Sequence, residues 1–504
     1  MPASERQNTG NRAFAVEQHG IDYIPESSRS ATLREIFFTW FGANVIFTYI
    51  VVGAIVGSLG LSVWQSLSAV VLGDLLYVLV GLTSIAGPRS GTGMLTVSRS
   101  AFGPVGNRVP SVLSWFTTIG WTAVNMVIGT LSLVTLADLI GIQAETAVKI
   151  VALLLITAAT VAIALLGHAT ILVVNKVLSY LLGAGTLVLG ALVITKVDGP
   201  ALTESSGGAS VGTWLIAFGI IAAAPLSYVN TGADYSRYLP SNTSARAVTV
   251  ATALGGFIPA ALIGSIGVLA AAAADMTDPI AGLQSLVPQT LLVLYLVVVV
   301  GGTVTNNFLN TYSSGMSLLA VGVSTTRTRA TTLNIGLALI GAAYVVFFRD
   351  LSESLIAFLT LMIVWSSAWC GVFLVDMWVR RARYDVQALH EPVGGPYWYS
   401  HGWNLAAVGW FVTGALVSAL FATSSIWTGP LVRWADDGDL SIFAGLLVAG
   451  VGYYAHTMLR SGSRGAGTPD VPRAPSDADG VAARPGSDDD GFIQAPLKRR
   501  RLAE

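Results

Sequence analysis

Residues 87–125 read GPRSGTGMLTVSRSAFGPVGNRVPSVLSWFTTIGWTAVN. The first half is a short connector bearing glycines and arginines. The second half enters an apolar segment that carries Trp121 and Asn125. On a helix, side chains four apart share a face, roughly 6 Å apart along the axis. Trp121 offers a flat π surface, and Asn125 offers hydrogen-bond donors and an acceptor. That pair suits a small planar heterocycle. The rest of the chain reads as a membrane scaffold that holds this face against its partners.

The composition supports that frame. Of 504 residues, 53% are hydrophobic and 11% charged, against about 25% charged in soluble proteins. This is the profile of an all-α polytopic membrane protein, with the lipid bilayer as its surroundings. The net charge of −1 gives no bulk reason to bind nucleic acid. The single cysteine, Cys370, excludes a disulfide within the chain. His19, His168, His390, His401 and His456 are scattered, and no HExxH, Walker or GxSxG pattern occurs. No cofactor and no obligatory protein partner are expected. The polar start, with Glu5, Arg6, Asn8 and Arg12, lacks an apolar core directly behind it, so no cleaved signal peptide is expected.

Apolar stretches of spanning length fall at 35–59, 63–86, 109–138, 146–167, 170–196, 212–235, 246–274, 288–323, 331–348, 353–379, 404–424 and 441–459. Arginines flank alternate loops: Arg29 and Arg34 before the first span, then Arg89, Arg99 and Arg108, Arg237 and Arg246, Arg327 and Arg329, and Arg380, Arg381 and Arg383. The intervening loops are acidic or neutral. Twelve spans with both termini cytoplasmic satisfy this alternation, in the plasma membrane. The expected organisation is a leader over 1–34, a transporter domain over 35–459 and a tail over 460–504. The tail is rich in Gly, Pro, Ser and Asp and reads as disordered.

Three spans carry signs of interruption. The first contains Gly42, Ala43 and Asn44; the sixth contains Pro225 followed by Ser227, Tyr228, Asn230 and Thr231. Broken helices at mid-membrane mark the substrate sites of many secondary transporters. The plainer readings are an interhelical hydrogen bond for Asn44 and a simple kink for Pro225. Breaks in the first and sixth spans are the spacing of an inverted five-plus-five repeat, although no residue-level repeat is visible. The eighth span carries Thr303, Thr305, Asn306, Asn307 and Asn310, too much polarity to face lipid. These elements are expected to meet the Trp121/Asn125 face around one small neutral ligand, with Asn125 and Asn310 reading its edges. Packing or interfacial anchoring is the plainer reading of Trp121. A symporter also needs an ion. Sodium would use backbone carbonyls near Ala43 and the hydroxyls of Thr303 or Thr305; a proton would use Asp74 or Asp234. Asp234 has a structural alternative in Arg237, and Asp376 has one beside Arg380.

The pieces GIDYIPESSR (20–29), Trp40–Asn44, GPRSG (87–91), SRSAFG (98–103), GWTAVN (120–125), ADYSRYLP (233–240) and NNFLNTYSSG (306–315) run in order along the chain. Together they resemble the nucleobase:cation symporter-1 family, in its purine–cytosine permease branch. The resemblance implies a broken-helix, inverted-repeat fold with spans 1 and 6 discontinuous. It implies a stacking role for Trp121, an amide role for Asn125, and substrate contacts from Asn306, Asn307 and Asn310. Tyr228 is the nearest match for a second aromatic; some relatives place theirs about three residues earlier, where this chain has Pro225. Ser227 and Asn44 complete the expected binding set. The implied function is import of cytosine or a purine by symport with Na+ or H+. The alternatives are a relative specific for uracil, allantoin, hydantoins or thiamine, a membrane-embedded enzyme, and a channel. The scattered histidines and single cysteine weigh against the enzyme, and the lack of a filter-like repeat weighs against the channel.

Overall fold

The computed structural model describes residues 22–463, apart from 144, 166–167, 200–209, 324–326 and 391–392. The leader up to residue 21 and the tail from residue 464 lie outside the described residues. Helix 1 is split into 1a (Leu33–Asn44) and 1b (Thr48–Gly57), which meet at 62°. Helices 2 to 5 are Val63–Ser90, Arg108–Leu139, Thr146–Leu165 and His168–Ile194. Helix 6 is 6a (Val211–Tyr228) with a short continuation, 6b (Gly232–Ser236). Helices 7 to 10 are Ala245–Ala273, Gln289–Val321, Arg327–Phe348 and Leu351–Val379. Helix 11 is Leu405–Leu420 and helix 12 is Ser441–Ser463. Among the described residues, ten helices are long and apolar enough to cross a membrane, and the bent pair makes an eleventh. Helix 11 is a shorter apolar helix at the place of the remaining expected span.

Local chemistry sets these boundaries. Thr32 and Glu35 form a reciprocal capping box at 1a, and Ser62 and Gln65 form another at helix 2. Ser210, Asp350 and Asn404 cap helices 6a, 10 and 11 with their side chains. Helix 1 breaks just past the expected Gly42–Asn44, at residues 45–47, where there is neither glycine nor proline. Asn44 supplies the reason. Its Nδ2 donates to the Trp40 carbonyl at 2.8 Å, and its Oδ1 accepts from Tyr49 beyond the break at 2.6 Å and from Tyr77 of helix 2. The side chain thus ties the end of 1a to 1b and to helix 2 across the break.

Helix 6 departs from the expectation. Pro225 sits inside 6a, which runs on to Tyr228; the interruption lies at residues 229–231. Proline removes one donor from the ladder, but one missing bond does not stop a helix that is otherwise buried in protein. The hydroxyl of Ser227 takes up the Ala224 carbonyl at 2.7 Å.

The packing shows the repeat that the residues hide. Helix 1 lies against helix 7, and helix 6 against helix 2; helix 3 lies against 4 and 9, and helix 8 against 9 and 4; helix 5 touches 8, and helix 10 touches 3. Each contact maps onto the other when five is added to, or taken from, the helix numbers. The 3–8 pair maps onto itself and is among the most extensive. A shift of five reverses the direction of crossing, so the repeat is inverted. Helices 11 and 12 pack on helix 10, outside it. Two groups result: helices 1, 2, 6 and 7, and helices 3, 4, 8 and 9. In the first, backbones touch: a Cβ on Gly53 would lie 2.0 Å from the Gly264 carbonyl oxygen, and one on Gly267 would lie 2.3 Å from that of Ile50.

The connector after helix 2 is a folded plug at the arginine-bearing end. Arg29 donates to the carbonyls of Ile24 and Pro88 at 2.8 and 3.0 Å, Arg89 to that of Ser241 at 2.6 Å, and Arg99 to that of Leu389 at 2.9 Å. His390 lies 3.2 Å from the Thr92 hydroxyl; burial, then Arg99 nearby, pushes its pKa down to about 4, so it is neutral there. Asp376 pairs with Arg380 at 2.8 Å, as the sequence led one to expect.

Candidate functional site

The break in helix 1 lies between two small cavities. One is lined by Ile46, Thr48 and Tyr49 at the break, Trp121 of helix 3, Ala224 and Tyr228 of helix 6, and Leu359 of helix 10. The other is lined by Gly42, Val45 and Thr48, Asn125 of helix 3, Ser179 of helix 5, and Thr303 and Asn306 of helix 8, among others. Ile46 and Thr48 line both. Trp121 and Asn125 therefore share a helix face but open into adjacent spaces, parted by the unwound segment. These hold about 10 and about 20 Å³, room for roughly one water each.

Trp121 meets Phe358 edge to face at 5.4 Å, and its indole N–H has no hydrogen-bond partner among the described residues. Across the cavity, Tyr228 stacks near Tyr77 at 6.4 Å and meets Trp40 edge to face at 5.5 Å. On the other side lies an amide cluster. Asn125 Nδ2 donates to Asn306 Oδ1 at 3.0 Å and to Asn307 Oδ1 at 3.1 Å. Asn310 Nδ2 reaches Asn306 Oδ1 at 3.4 Å, and Asn307 Nδ2 reaches Thr160 at 3.4 Å. With the amides so oriented, Asn125 Oδ1 and Asn306 Nδ2 are without a partner among the described residues, an acceptor and a donor on two residues that line the same cavity.

Other residues singled out from the sequence are engaged elsewhere. Asn44 is fully buried, and its amide is committed to Trp40, Tyr49 and Tyr77. Ser227 bonds its own helix. Thr305 donates to the carbonyls of Gly301 and Gly302, both at 3.1 Å, and it does not line the cavity beside Asn125. Ala43 is not among the lining residues either, although Gly42 and Val45 on either side of it are. Thr303 lines that cavity, while its hydroxyl bonds the Val300 carbonyl at 2.9 Å. Asp234 accepts from the Met94 backbone N–H at 2.7 Å, which ties helix 6b to the plug. No group of three or more His, Cys, Asp or Glu that could hold a metal ion occurs among the described residues. Sequence reasoning missed Tyr49 and Tyr77. Both read as ordinary aromatic residues of apolar spans, and only the fold brings their hydroxyls to one amide.

Two interrupted helices facing an aromatic and amide surface, inside a five-plus-five repeat, define a secondary transporter of the broken-helix class. The chain matches the family model described as permeases for cytosine/purines, uracil, thiamine and allantoin over residues 23–445. It belongs to that family. YxlA of Bacillus subtilis, assigned by name to the purine-cytosine permeases, is 27% identical over 458 residues, covering 87% of this chain and 95% of that protein. The purine-cytosine permease FcyB of Emericella nidulans is 23% identical over 478 residues, covering 87% of each. Among solved structures, Mhp1, a nucleobase-cation-symport-1 family transporter in a closed conformation with bromovinylhydantoin bound, superposes with a TM-score of 0.69 at 20% identity. That match covers 88% of this chain and 96% of Mhp1. The family is one of permeases, so the chain is a transporter and not an enzyme.

Proposed function

We propose that this protein imports a nucleobase, cytosine or a purine, by cation symport across the cell membrane, with both termini cytoplasmic. The carrying observation is the uncharged amide cluster of helices 3 and 8 beside a helix break that also borders Trp121. The indole face stacks on the ring. Asn125 and Asn306 read a donor–acceptor edge, with Asn307 and Asn310 holding them in place and Tyr228 closing the far side. Asn44 acts through the break rather than on the ligand. An adjoining donor and acceptor fits the amino-and-ring-nitrogen edge of cytosine or adenine. It also fits the lactam edge of uracil, allantoin or a hydantoin, which is the second reading. Coupling to a cation and inward flux follow from the resemblance to symporters and from an energised membrane. The two cavities are too small for a ring as they stand, so binding requires the helix 1 break to shift.

The test is uptake of radiolabelled cytosine into cells lacking nucleobase carriers, with adenine, hypoxanthine, uracil, allantoin and thiamine as competitors. Saturable uptake blocked by purines is expected. Uptake of another ring with no cytosine uptake would overturn the substrate and leave the site.

A further inference from the structure

Asp74 is the one acidic residue of helix 2, and it is 1% exposed. Neither of its carboxylate oxygens has a hydrogen-bond partner among the described residues. The helices that flank it offer no basic group at its depth. This half of helix 2 packs against 6a, helix 7 and 1b. The titratable side chains of those elements are Tyr228, Arg246 and Tyr49 respectively. Arg246 is in the first turn of helix 7, and Thr249, three residues on, touches helix 2 at Gly81. Gly81 is seven residues from Asp74, so the guanidinium lies more than about 10 Å along the axis. Opposite Asp74, residues 257–263 of helix 7 and 217–224 of 6a carry no polar side chain. Within helix 2 itself, Tyr77 is on the same face, three residues on, and Arg89 is at the far end. An ionised carboxylate left so would be a lone charge in a membrane interior, which proteins avoid by keeping the group neutral.

Two further features place Asp74 at a joint. The ladder of helix 2 tightens here: Leu76 bonds to the carbonyl of Gly73, Val78 to that of Leu75, and Leu79 to that of Leu76. Such three-residue spacing inside a helix marks a hinge. A Cβ on Gly73 would lie 2.8 Å from Ile221 and 3.1 Å from the Phe218 carbonyl oxygen, so the hinge is pressed against 6a. Next to it, the hydroxyls of Tyr49 and Tyr77 both bond Asn44 Oδ1 and lie 2.6 Å apart. Two donors share one acceptor, and one of them is surplus when a better acceptor appears.

We infer that Asp74 is the proton-carrying group of the transport cycle, and that its charge is read by the Tyr49–Tyr77–Asn44 cluster at the helix 1 break. The inference rests on the symport reading and names its ion. With its proton on, Asp74 is neutral, the tyrosines stay on Asn44 and the break keeps its bend. When the proton leaves toward the inner side, the carboxylate draws the Tyr77 hydroxyl away from Asn44 and loosens the joint. One proton is taken from the outer side and one is released to the inner side per cycle; no covalent bond other than the O–H changes.

The experiment uses the full chain reconstituted in lipid vesicles. The substrate-independent arm is infrared difference spectroscopy at neutral pH: wild type shows the C=O stretch of a protonated carboxylic acid, and Asp74→Asn removes it. In the transport arm, an acid-outside gradient without sodium drives cytosine accumulation by wild type. Asp74→Asn is expected to lose at least tenfold of that accumulation while retaining exchange of internal for external cytosine within about twofold. Tyr77→Phe is expected to keep accumulation with an altered pH profile. Gel filtration of each variant in detergent checks folding, and Asp74→Ser, which also lacks a carboxyl, replaces Asp74→Asn if the latter aggregates. The inference is overturned by a missing carboxylic band, by accumulation that follows sodium and ignores pH, or by full accumulation in Asp74→Asn. Failure of cytosine exchange in wild type alongside an intact band overturns the substrate and spares the protonated carboxyl.

Discussion

Trp121 and Asn125 divide the work of recognition between shape and pattern. The indole meets Phe358 edge to face at 5.4 Å and lines the cavity that borders the helix 1 break. Stacking of a base on an aromatic side chain is worth about 1–3 kcal/mol. Trp121→Ala should therefore weaken cytosine binding about 5- to 150-fold, and Trp121→Phe should recover most of the loss, as measured by competition against labelled cytosine. Asn125→Ala acts differently. It removes a ligand acceptor and also strips the donors from Asn306 and the fully buried Asn307. It should change the order of preference among competing bases as well as the affinity, because the amides of helix 8 are then free to turn. Unchanged affinity and selectivity would remove Asn125 from the site. That helices 3 and 8 would meet through amides was legible from the polarity of the eighth span, although the sequence pointed to Asn310 as the partner of Asn125 and the structure sets Asn306 and Asn307 there. The engagement of Asn44 was not legible, because its partners Tyr49 and Tyr77 sit five and thirty-three residues away and only packing unites them.

At the level of elements, the sequence marks where helices are weak, but the surroundings decide where they break. Proline at 225 was the louder signal, and helix 6a absorbs it; residues 45–47 carry no breaker, and there helix 1 turns by 62°. The family-bearing motifs tell a similar story. GPRSG, SRSAFG and the IPESSR leader serve largely to fasten the plug between helices 2 and 3 to its neighbours. GWTAVN and NNFLN supply the indole and amides of the candidate site, and Gly42 of the Trp40–Asn44 piece lines the cavity beside Asn125. Glycines of helix 1 split the same way. Gly53 stands where a Cβ would meet the helix 7 backbone at 2.0 Å, whereas a Cβ on Gly42 meets nothing within 4 Å. Gly53→Ala must push 1b and helix 7 apart, a change that typically costs about 1–3 kcal/mol. It should lower the melting temperature in detergent. Gly42→Ala should melt at or above wild type, since alanine favours a helix over glycine by up to about 1 kcal/mol. Equal melting temperatures for the two would show that 1b and helix 7 are not in backbone contact.

Across the whole molecule, the exchange symmetry of the contacts divides the fold into two groups that meet at the breaks. The 1–7 and 6–2 pairs touch through glycines and buried aliphatics; the 3–8 and 3–9 pairs are tied by Ser114 to Ser317 and by Thr122 to Asn334. Each group is coherent inside itself, and the candidate site lies on the seam. Cavities of about 10 and about 20 Å³ on that seam cannot admit a ring unless the seam opens. Transport by this fold therefore predicts relative motion between the helix 1 break and the helices around it, with little motion between helices 3 and 9. Two cysteine pairs separate these cases. A Cβ on Gly183 of helix 5 would lie 3.5 Å from Val45 at the break, and one on Gly341 of helix 9 would lie 3.5 Å from the Ala123 Cβ of helix 3. The second is a Cβ–Cβ separation that suits a disulfide; the first is measured to Val45 Cγ1, the place a cysteine sulfur would take. Cys370 is buried and is replaced by alanine in the background, so that each added pair reacts alone. Oxidising Val45→Cys/Gly183→Cys should stop net uptake and exchange together, and reductant should restore both. Oxidising Ala123→Cys/Gly341→Cys should leave them within about twofold of the reduced form. If the Val45–Gly183 link forms in full and transport continues, the break does not part from helix 5 during the cycle. The ring must then enter by side-chain motion of Trp121, Tyr228 or Leu359 alone.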